Sequence, residues 1–462
     1  MSGRADAVAP RGLLTAGVLG RADAEGLVKR ILGFSTADAC RVSVSSRSRG
    51  NTRFAVNQVS TAGDTEDLQV AVRAVVGKKV GVATTNRLDD EALRRVVQTA
   101  ERIAKLSPDD PELLPELGPQ EYLPVDAWDD ATAAADPAAR AALVVAVTER
   151  ARREGLVATG YLEVEAQAVA IGTSAGLFAY HRATDAAMTT TVRTADGAGS
   201  GWAGGAARRL AGLDAATMGE RAIEKARRSV NPVAVEPGRY TVVLEPTAVG
   251  NLVQLLAFAT QARSADEGRS FFSKPGGGNK IGMQVVDPRV TLTGDPQHPD
   301  APGAPFTGDG LATRKVTWIG EGVVRDLAYD RYWASRKNVA PVANPGSLQM
   351  QGGSSSLDEM IASTERGILV TRFWYIRPVD PRTILYTGLT RDGTFLIEKG
   401  KVTRAVKNLR FNESPVFLLN NLEAMGRPVR VSASESGSTG LPVVAPAIKA
   451  RDFNFTSLSD AV

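Results

Sequence analysis

The stretch CRVSVSSRSRGNTRFAVNQVS, Cys40 to Ser60, puts Val42, Val44, Phe54 and Val56 on alternate positions, with serine and arginine between them. A period of two marks a strand with one face buried and the other solvated or covered. The same alternation returns in LQVAVRAVVGKKVGVATT, residues 68–85, where Val70 and Val72 take the apolar positions. Turn signals at Gly50-Asn51 and Gly77-Lys78 predict a strand meander. A second alternating block, YLEVEAQAVAIGTSAGLFAYHRATDAAMTTTVRT, predicts a hairpin turning around Thr173 to Gly176.

Helical patterns flank these strands. Ala22 to Leu32 forms a short helix. Asp89 and Asp90 open another, with acidic residues at its start, Lys105 at its end and Leu93, Val96, Val97 and Ala100 on one face. Pro137 to Gly155 and Ala215 to Arg228 complete the set. The first twenty residues read as unstructured, the glycine- and alanine-rich segment from Gly197 to Gly212 as mobile, and the proline-punctuated segment 108–124 as a surface wanderer. VNPVAVEPGRYTVVLEP marks a boundary. Beyond it come short strands broken by Gly and Pro, with helices expected over 249–262, 355–366 and 417–424. The fold class is therefore α+β: an N-terminal sheet-and-helix domain over residues 21–230, then a β-rich C-terminal domain over 231–462 that holds a buried helix.

That helix starts LVQLLAFATQARSADEG, Leu252 to Gly268. Its first half is apolar on nearly every side and its second half ends in Ser264, Asp266 and Glu267. A chain of 462 residues, 43% hydrophobic and 23% charged, has the profile of a soluble globular protein of two or more domains. Its charge of +4, from 55 basic and 51 acidic residues, is mixed along the chain and indicates no nucleic-acid partner. The longest apolar run, around Thr247 to Thr260, is too short to span a bilayer. The N-terminal segment has no uninterrupted apolar core, so no secretory signal is expected, and a single cysteine, Cys40, fits a reducing compartment. A cytoplasmic location is expected. With only two histidines, His181 and His298, and one cysteine, a zinc site made within this chain is not expected, because zinc usually takes several His or Cys ligands.

Three further stretches invite a binding role. KPGGGNK, Lys274 to Lys280, lacks the Lys-Ser/Thr pair of a phosphate loop and reads as a flexible loop. NPGSLQMQGGSSS has two readings: a plain connecting loop, or a short strand, Ser347, Leu348, Gln349 and Met350, beside a loose loop, where an exposed edge would accept an extended peptide. In TRKVTWIGEGVVRDLAYDRYWASRKN a hairpin turns at Gly320 to Gly322, and Arg331, Tyr332 and Trp333 gather charge and aromatic surface.

The order of these features resembles the TldD/PmbA (TldE) family, once called modulators of DNA gyrase and understood as metallopeptidases. The resemblance runs from about residue 20 to the C-terminus. It is carried by RFAVNQVS, YTVVLEPTAVGNLVQLL, ATRKVTWIGEGVVRDLAYDRYWASR, IASTERGILVTRF and FLIEKGKVTRAVKNLRF. In the family's peptidase branch, the helix after the YTVVLEP-like strand carries His-Glu-x-x-x-His, and a cysteine near the C-terminus completes the metal site. Laid onto this chain, that pattern puts Ala257 at the first His, Phe258 at the Glu and Ala262 at the second His, with Ser432 near the cysteine. The resemblance therefore implies the metal-free, TldE-like branch. It further implies no cofactor in this chain, zinc in a TldD-like partner, a heterodimer with that partner, and an extended peptide as substrate. Two other readings stay open: a stand-alone peptide-binding homodimer, and a peptidase whose metal site has moved to carboxylates such as Asp266, Glu267 and Asp309.

Overall fold

The computed structural model describes residues 14, 15, 17–431 and 441–459. The alternating stretches form one antiparallel six-stranded sheet: β1 (Ala39–Ala55), β2 (Gln58–Val76), β3 (Lys79–Thr85), β4 (Val157–Thr173), β5 (Phe178–Arg193) and β6 (Ser200–Ala207), in the order β3-β2-β1-β4-β5-β6. Four helices, α1 (Arg21–Leu32), α2 (Asp90–Leu106), α3 (Pro137–Arg153) and α4 (Ala215–Arg228), cover one face. Even-numbered positions of β1, β2, β4 and β5 point to them, as do odd-numbered positions of β3 and β6. Leu27, Ile31, Leu93 and Val97 pack on Val42, Val44, Val70 and Val72, while Val144, Val147, Ala222 and Ile223 pack on Phe54, Leu162 and Met188. Each such side chain withdrawn from water contributes about 1.5–3 kcal/mol before entropy is counted. Asp89, Asp136 and Asp214 cap the starts of α2, α3 and α4 by accepting main-chain N–H groups.

The turn at Gly77-Lys78 forms as expected, but the one expected at Gly50-Asn51 does not: β1 runs through it and turns at Val56-Asn57, both at positive φ (51° and 58°). Gly50 is a glycine for another reason, since a Cβ there would lie 2.1 Å from the guanidinium of Arg140, a buried residue of α3. The Gly197 to Gly212 segment is likewise mostly strand, β6. A Cβ on Gly201 would meet the Ala222 carbonyl at 2.2 Å, so its small residues let α4 sit directly on the sheet. Near the N-terminus, where the sequence predicts no structure, Leu14–Thr15 and Val18–Leu19 pair as a short hairpin, and the Leu19 N–H donates to Ser46 Oγ.

Past residue 237 the chain builds two further sheets. Their strands are β7 (Gly238–Leu244), β8 (Leu292–Gly294), β9 (Val316–Gly320), β10 (Val323–Val324), β11 (Leu348–Met350), β12 (Arg366–Asp380), β13 (Leu385–Glu398), β14 (Lys401–Ala405), β15 (Leu409–Glu413), β16 (Val429–Val431), β17 (Val443–Ala445) and β18 (Ile448–Leu458). One sheet has the order β10-β9-β8-β11-β17-β16 and the other β12-β7-β18-β15-β13-β14, with Leu422–Met425 added beside β18. The helix expected over 249–262 is two helices, α5 (Pro246–Phe258) and α6 (Ala262–Asp266). The other two expected helices are shorter, Leu357–Ala362 and Pro415–Asn420. Helix α5 touches both sheets, packing on β7 and β12 from one and on β11, β16 and β17 from the other. That placement explains the mostly apolar surface: up to Ala257 the helix is packed between the sheets, where few polar residues can be satisfied.

The opposite, polar face of the N-terminal sheet is turned toward the C-terminal sheets. A hydrogen bond, a cation–ring contact and an ion pair fasten the two parts. Arg372 pairs with Asp392, which also accepts from Ser200 Oγ at 2.6 Å, and the Arg372 guanidinium carbon lies 4.9 Å from the rings of both Trp202 and Trp374. Lys225 on α4 reaches Glu245 at 2.7 Å. Among the described residues no helix is long and apolar enough to cross a membrane.

Candidate functional site

The break between α5 and α6 is held by a distant segment. The Ala262 N–H donates to the Ala328 carbonyl at 3.0 Å and the Ala328 N–H to the Thr260 carbonyl at 2.8 Å, so Thr260 to Ala262 run strand-like beside Ala328. Thr260 Oγ donates back to the Ala257 carbonyl at 2.6 Å, closing the helix end. Ala257 and Ala262 are buried, whereas Phe258 faces outward, 46% exposed. Zinc requires nitrogen, sulfur or oxygen donors, and the side chains of Ala257, Phe258 and Ala262 supply none. These positions do not fit a metal. Ser432 lies outside the described residues.

The polar end of the stretch is fixed by structural bonds. Asp266, its side chain 4% exposed, accepts from Trp333 Nε1 at 2.7 Å and Asn279 Nδ2 at 2.8 Å, with Lys337 Nζ at 3.4 Å. Glu267 pairs with Arg263 and Arg269, which hold its carboxyl below the usual range, Arg269 most strongly. Asp309 accepts from Thr307 Oγ at 2.5 Å and lies 3.5 Å from Arg331. The three carboxylates of the relocated-site reading are thus each committed to a separate set of donors. Among the described residues no three His, Cys, Asp or Glu side chains are grouped to hold a metal ion.

The strand expected at Ser347 to Met350 forms, as β11, but it offers no free edge. It pairs with β8 on one side and β17 on the other, and Leu348, Gln349 and Met350 are buried. Ser347 Oγ donates to the Asp295 carbonyl and Gln349 Oε1 accepts the Asp295 N–H, each at 2.9 Å. The peptide-accepting edge is therefore corrected to an interior strand; its second neighbour, β17, comes from far along the chain. Arg331 and Tyr332 begin a short helix, α7 (Arg331–Lys337). Arg331 donates to the Pro115 carbonyl at 2.6 Å, and Tyr332 lies 5.8 Å from the guanidinium of Arg263, which forks onto Glu112 with two 2.8 Å bonds. This cluster fastens the 108–124 segment, which is strapped down rather than wandering. Arg331 and Tyr332 are not brought to Ser347–Met350 by any described contact.

Missed by the sequence reading is a cavity of about 590 Å³ between the N-terminal sheet and the C-terminal part. Arg47, Arg49, Glu163, Glu165 and Asp185 line one wall, and Arg430 stands opposite. Arg47 and Arg49 pair with Glu165 at 3.2 and 2.7 Å, and Arg430 pairs with Asp185 across the cavity. Burial pushes the Asp185 carboxyl up to about 6 although Arg430 pulls it down, and its side chain stays 44% exposed to the cavity. His181, on the same wall, is held down to about 4 by burial and so is neutral at physiological pH. Three guanidiniums and three carboxylates thus balance in this chamber. The signal lay in the sequence: SRSRGNTR and YLEVE place charges at alternate positions, on the face that the valines leave free. His298 sits in a loop, its Nδ1 accepting from the Asp300 N–H at 3.2 Å.

Three family models of the PmbA/TldA metallopeptidases match the chain: domain 1 over residues 40–104, the central domain over 124–230 and the C-terminal domain over 237–457. Among solved structures, TldE from Thermococcus kodakarensis superposes with a TM-score of 0.84 at 20% identity, covering 94% of this chain and 99% of that one. A protein described as a candidate modulator of DNA gyrase from Thermotoga maritima gives 0.82 at 17% identity, covering 94% and 100%. A metalloprotease of Archaeoglobus fulgidus is 20% identical over 232 residues, 47% of this chain; the chain spans about half (52%) of that relative's length.

Proposed function

This chain belongs to the PmbA/TldD metallopeptidase family, and from that premise we propose that it is a metal-free, TldE-like subunit. In this reading it works in a heterodimer with a TldD-like, zinc-bearing homologue that cleaves unfolded or extended peptides in the cytoplasm. One observation carries the reading: Ala257, Phe258 and Ala262, at the three described positions of the family's His-Glu-x-x-x-His motif, bring no ligand and no general base. A metal hydrolase needs both a held ion and a group to take the proton from its water. The neighbouring carboxylate, Asp266, is tied to Trp333 and Asn279 and cannot substitute without breaking those bonds. The chain's contribution is then shape and surface: a rigid α5 packed between two sheets, and a charged chamber beside it. The test is to purify the chain alone and with a co-encoded TldD-like protein, then measure zinc and digestion of unstructured peptides. Zinc at one per chain with cleavage by the lone chain would overturn the reading.

A further inference from the structure

A second cleft, of about 550 Å³, lies where the chain between Tyr122 and Trp128 passes the outer edge of β5. β6 covers that edge only from Ala186 to Arg193. Further back, the Thr184 N–H donates to the Ala127 carbonyl at 2.9 Å. Alternate residues of a strand turn both main-chain groups to the same side, so Tyr180 and Arg182 direct theirs outward as Thr184 does. None of the described hydrogen bonds joins Leu123 to Asp126 to this edge; the cleft separates them.

Two guanidiniums line the cleft, and neither has an ion-pair or hydrogen-bond partner among the described residues. Arg182 lies 4.4 Å from the Trp128 ring centroid, and Arg21 lies 5.5 and 6.0 Å from those of Phe178 and Tyr180. Stacking fixes the planes of the guanidiniums and leaves their N–H edges free for an oxyanion. The carboxylate lining the cleft, Asp126, is already paired with Arg208 at 2.8 Å, so the charge here is positive, unlike the balanced chamber above. Leu123, 37% exposed, and Pro305 supply apolar surface at the rim.

We propose that this cleft seats the C-terminal carboxylate of an extended peptide: the main chain adds to β5 at Tyr180 to Arg182, Arg21 and Arg182 take the carboxylate, and the aromatic rings and Leu123 receive an apolar last side chain. Main-chain pairing to a free edge supplies affinity without sequence preference, and the paired arginines select the chain end. The inference rests on the preceding reading only for the peptide class. It concerns binding by this chain alone, so its failure is told apart from failure of the heterodimer.

The experiment is fluorescence anisotropy of an N-terminally labelled Ala-Ala-Ala-Ala-Phe peptide, as free acid and as amide, with the full chain and with R21Q and R182Q. Loss of a charge-assisted hydrogen bond, about 1.5–3 kcal/mol, corresponds to roughly tenfold or more. The free acid is expected to bind at least about tenfold tighter than the amide, and each variant to lose most of that preference while its near-ultraviolet circular dichroism matches the parent. Equal binding of acid and amide, binding by neither, or unchanged preference in both variants overturns the proposal. Displacement by inorganic phosphate as effective as by N-acetyl-phenylalanine also overturns it, by marking a general oxyanion site.

Discussion

Replacing Gly201 by alanine tests how α4 is seated on the N-terminal sheet. The new Cβ would lie 2.2 Å from the Ala222 carbonyl oxygen, 2.4 Å from the Ala226 nitrogen and 2.6 Å from Lys225 Cβ. Two of these are main-chain atoms of a helix, which cannot rotate aside, so relief requires α4 to lift by roughly 1 Å to reach ordinary contact. Lifting it loosens Met218, Ala222, Ile223 and Ala226, all buried against the sheet. Overpacking of this kind costs about 1–3 kcal/mol, and a clash with rigid backbone belongs at the upper end. At 2–4 °C per kcal/mol for a domain of this size, G201A is expected to melt roughly 6–12 °C below the parent. Thermal unfolding followed by tryptophan fluorescence reads this directly, since Trp202 is the adjacent residue. Gly26, exposed within α1, is the control: a methyl group added there would meet nothing within 4 Å. G26A should gain about 0.5–1 kcal/mol. If G201A melts within a degree of the parent, the close-approach reading of these glycines is wrong.

Glu413 is buried and accepts the N–H groups of Ser414 and Asn454 at 2.8 and 3.0 Å, yet burial pushes its carboxyl up to about 7. The folded state therefore holds this proton more tightly than the unfolded chain does. Its stabilising contribution is complete below about pH 4.5 and is lost as pH rises through 7, a change of about 3 kcal/mol. Urea denaturation between pH 5 and 8 should show that decline in the parent and a flatter profile in E413Q; parallel profiles would refute it. D266A should lower stability by about 1–3 kcal/mol, because it strands the half-buried Trp333 and Asn279 donors. It should do so without altering bound metal, and metal lost with stability unchanged would make Asp266 a ligand after all.

Local signals in the sequence are legible where local physics decides. Alternating valines over 40–44 and 70–72 specify β1 and β2, and Asp89 and Asp214 cap helices that begin where they should. Glycine misleads at Gly50 and Gly201 because its two uses, turning and close approach, look alike without the neighbour: Arg140 in one case, Ala222 in the other. The free edge expected at Ser347–Met350 fails for a related reason, since β8 and β17 are remote in sequence and no property of SLQM names them. The split between Phe258 and Ala262 depends in the same way on Ala328. For the site, the lack of ligands at Ala257, Phe258 and Ala262 is legible at once, while the exposure of Phe258 is not. An apolar run predicts burial, and only the helix end turns that ring outward.

The proposed role requires that this chain contribute no metal and act through a metal-bearing homologue. The most direct measurement is zinc per chain and peptide digestion for the purified chain, for a co-encoded TldD-like protein, and for the two combined. No stoichiometric zinc and no cleavage are expected from this chain, with one zinc per homologue and co-elution of the pair with cleavage. Stoichiometric zinc and cleavage in this chain by itself would contradict that role.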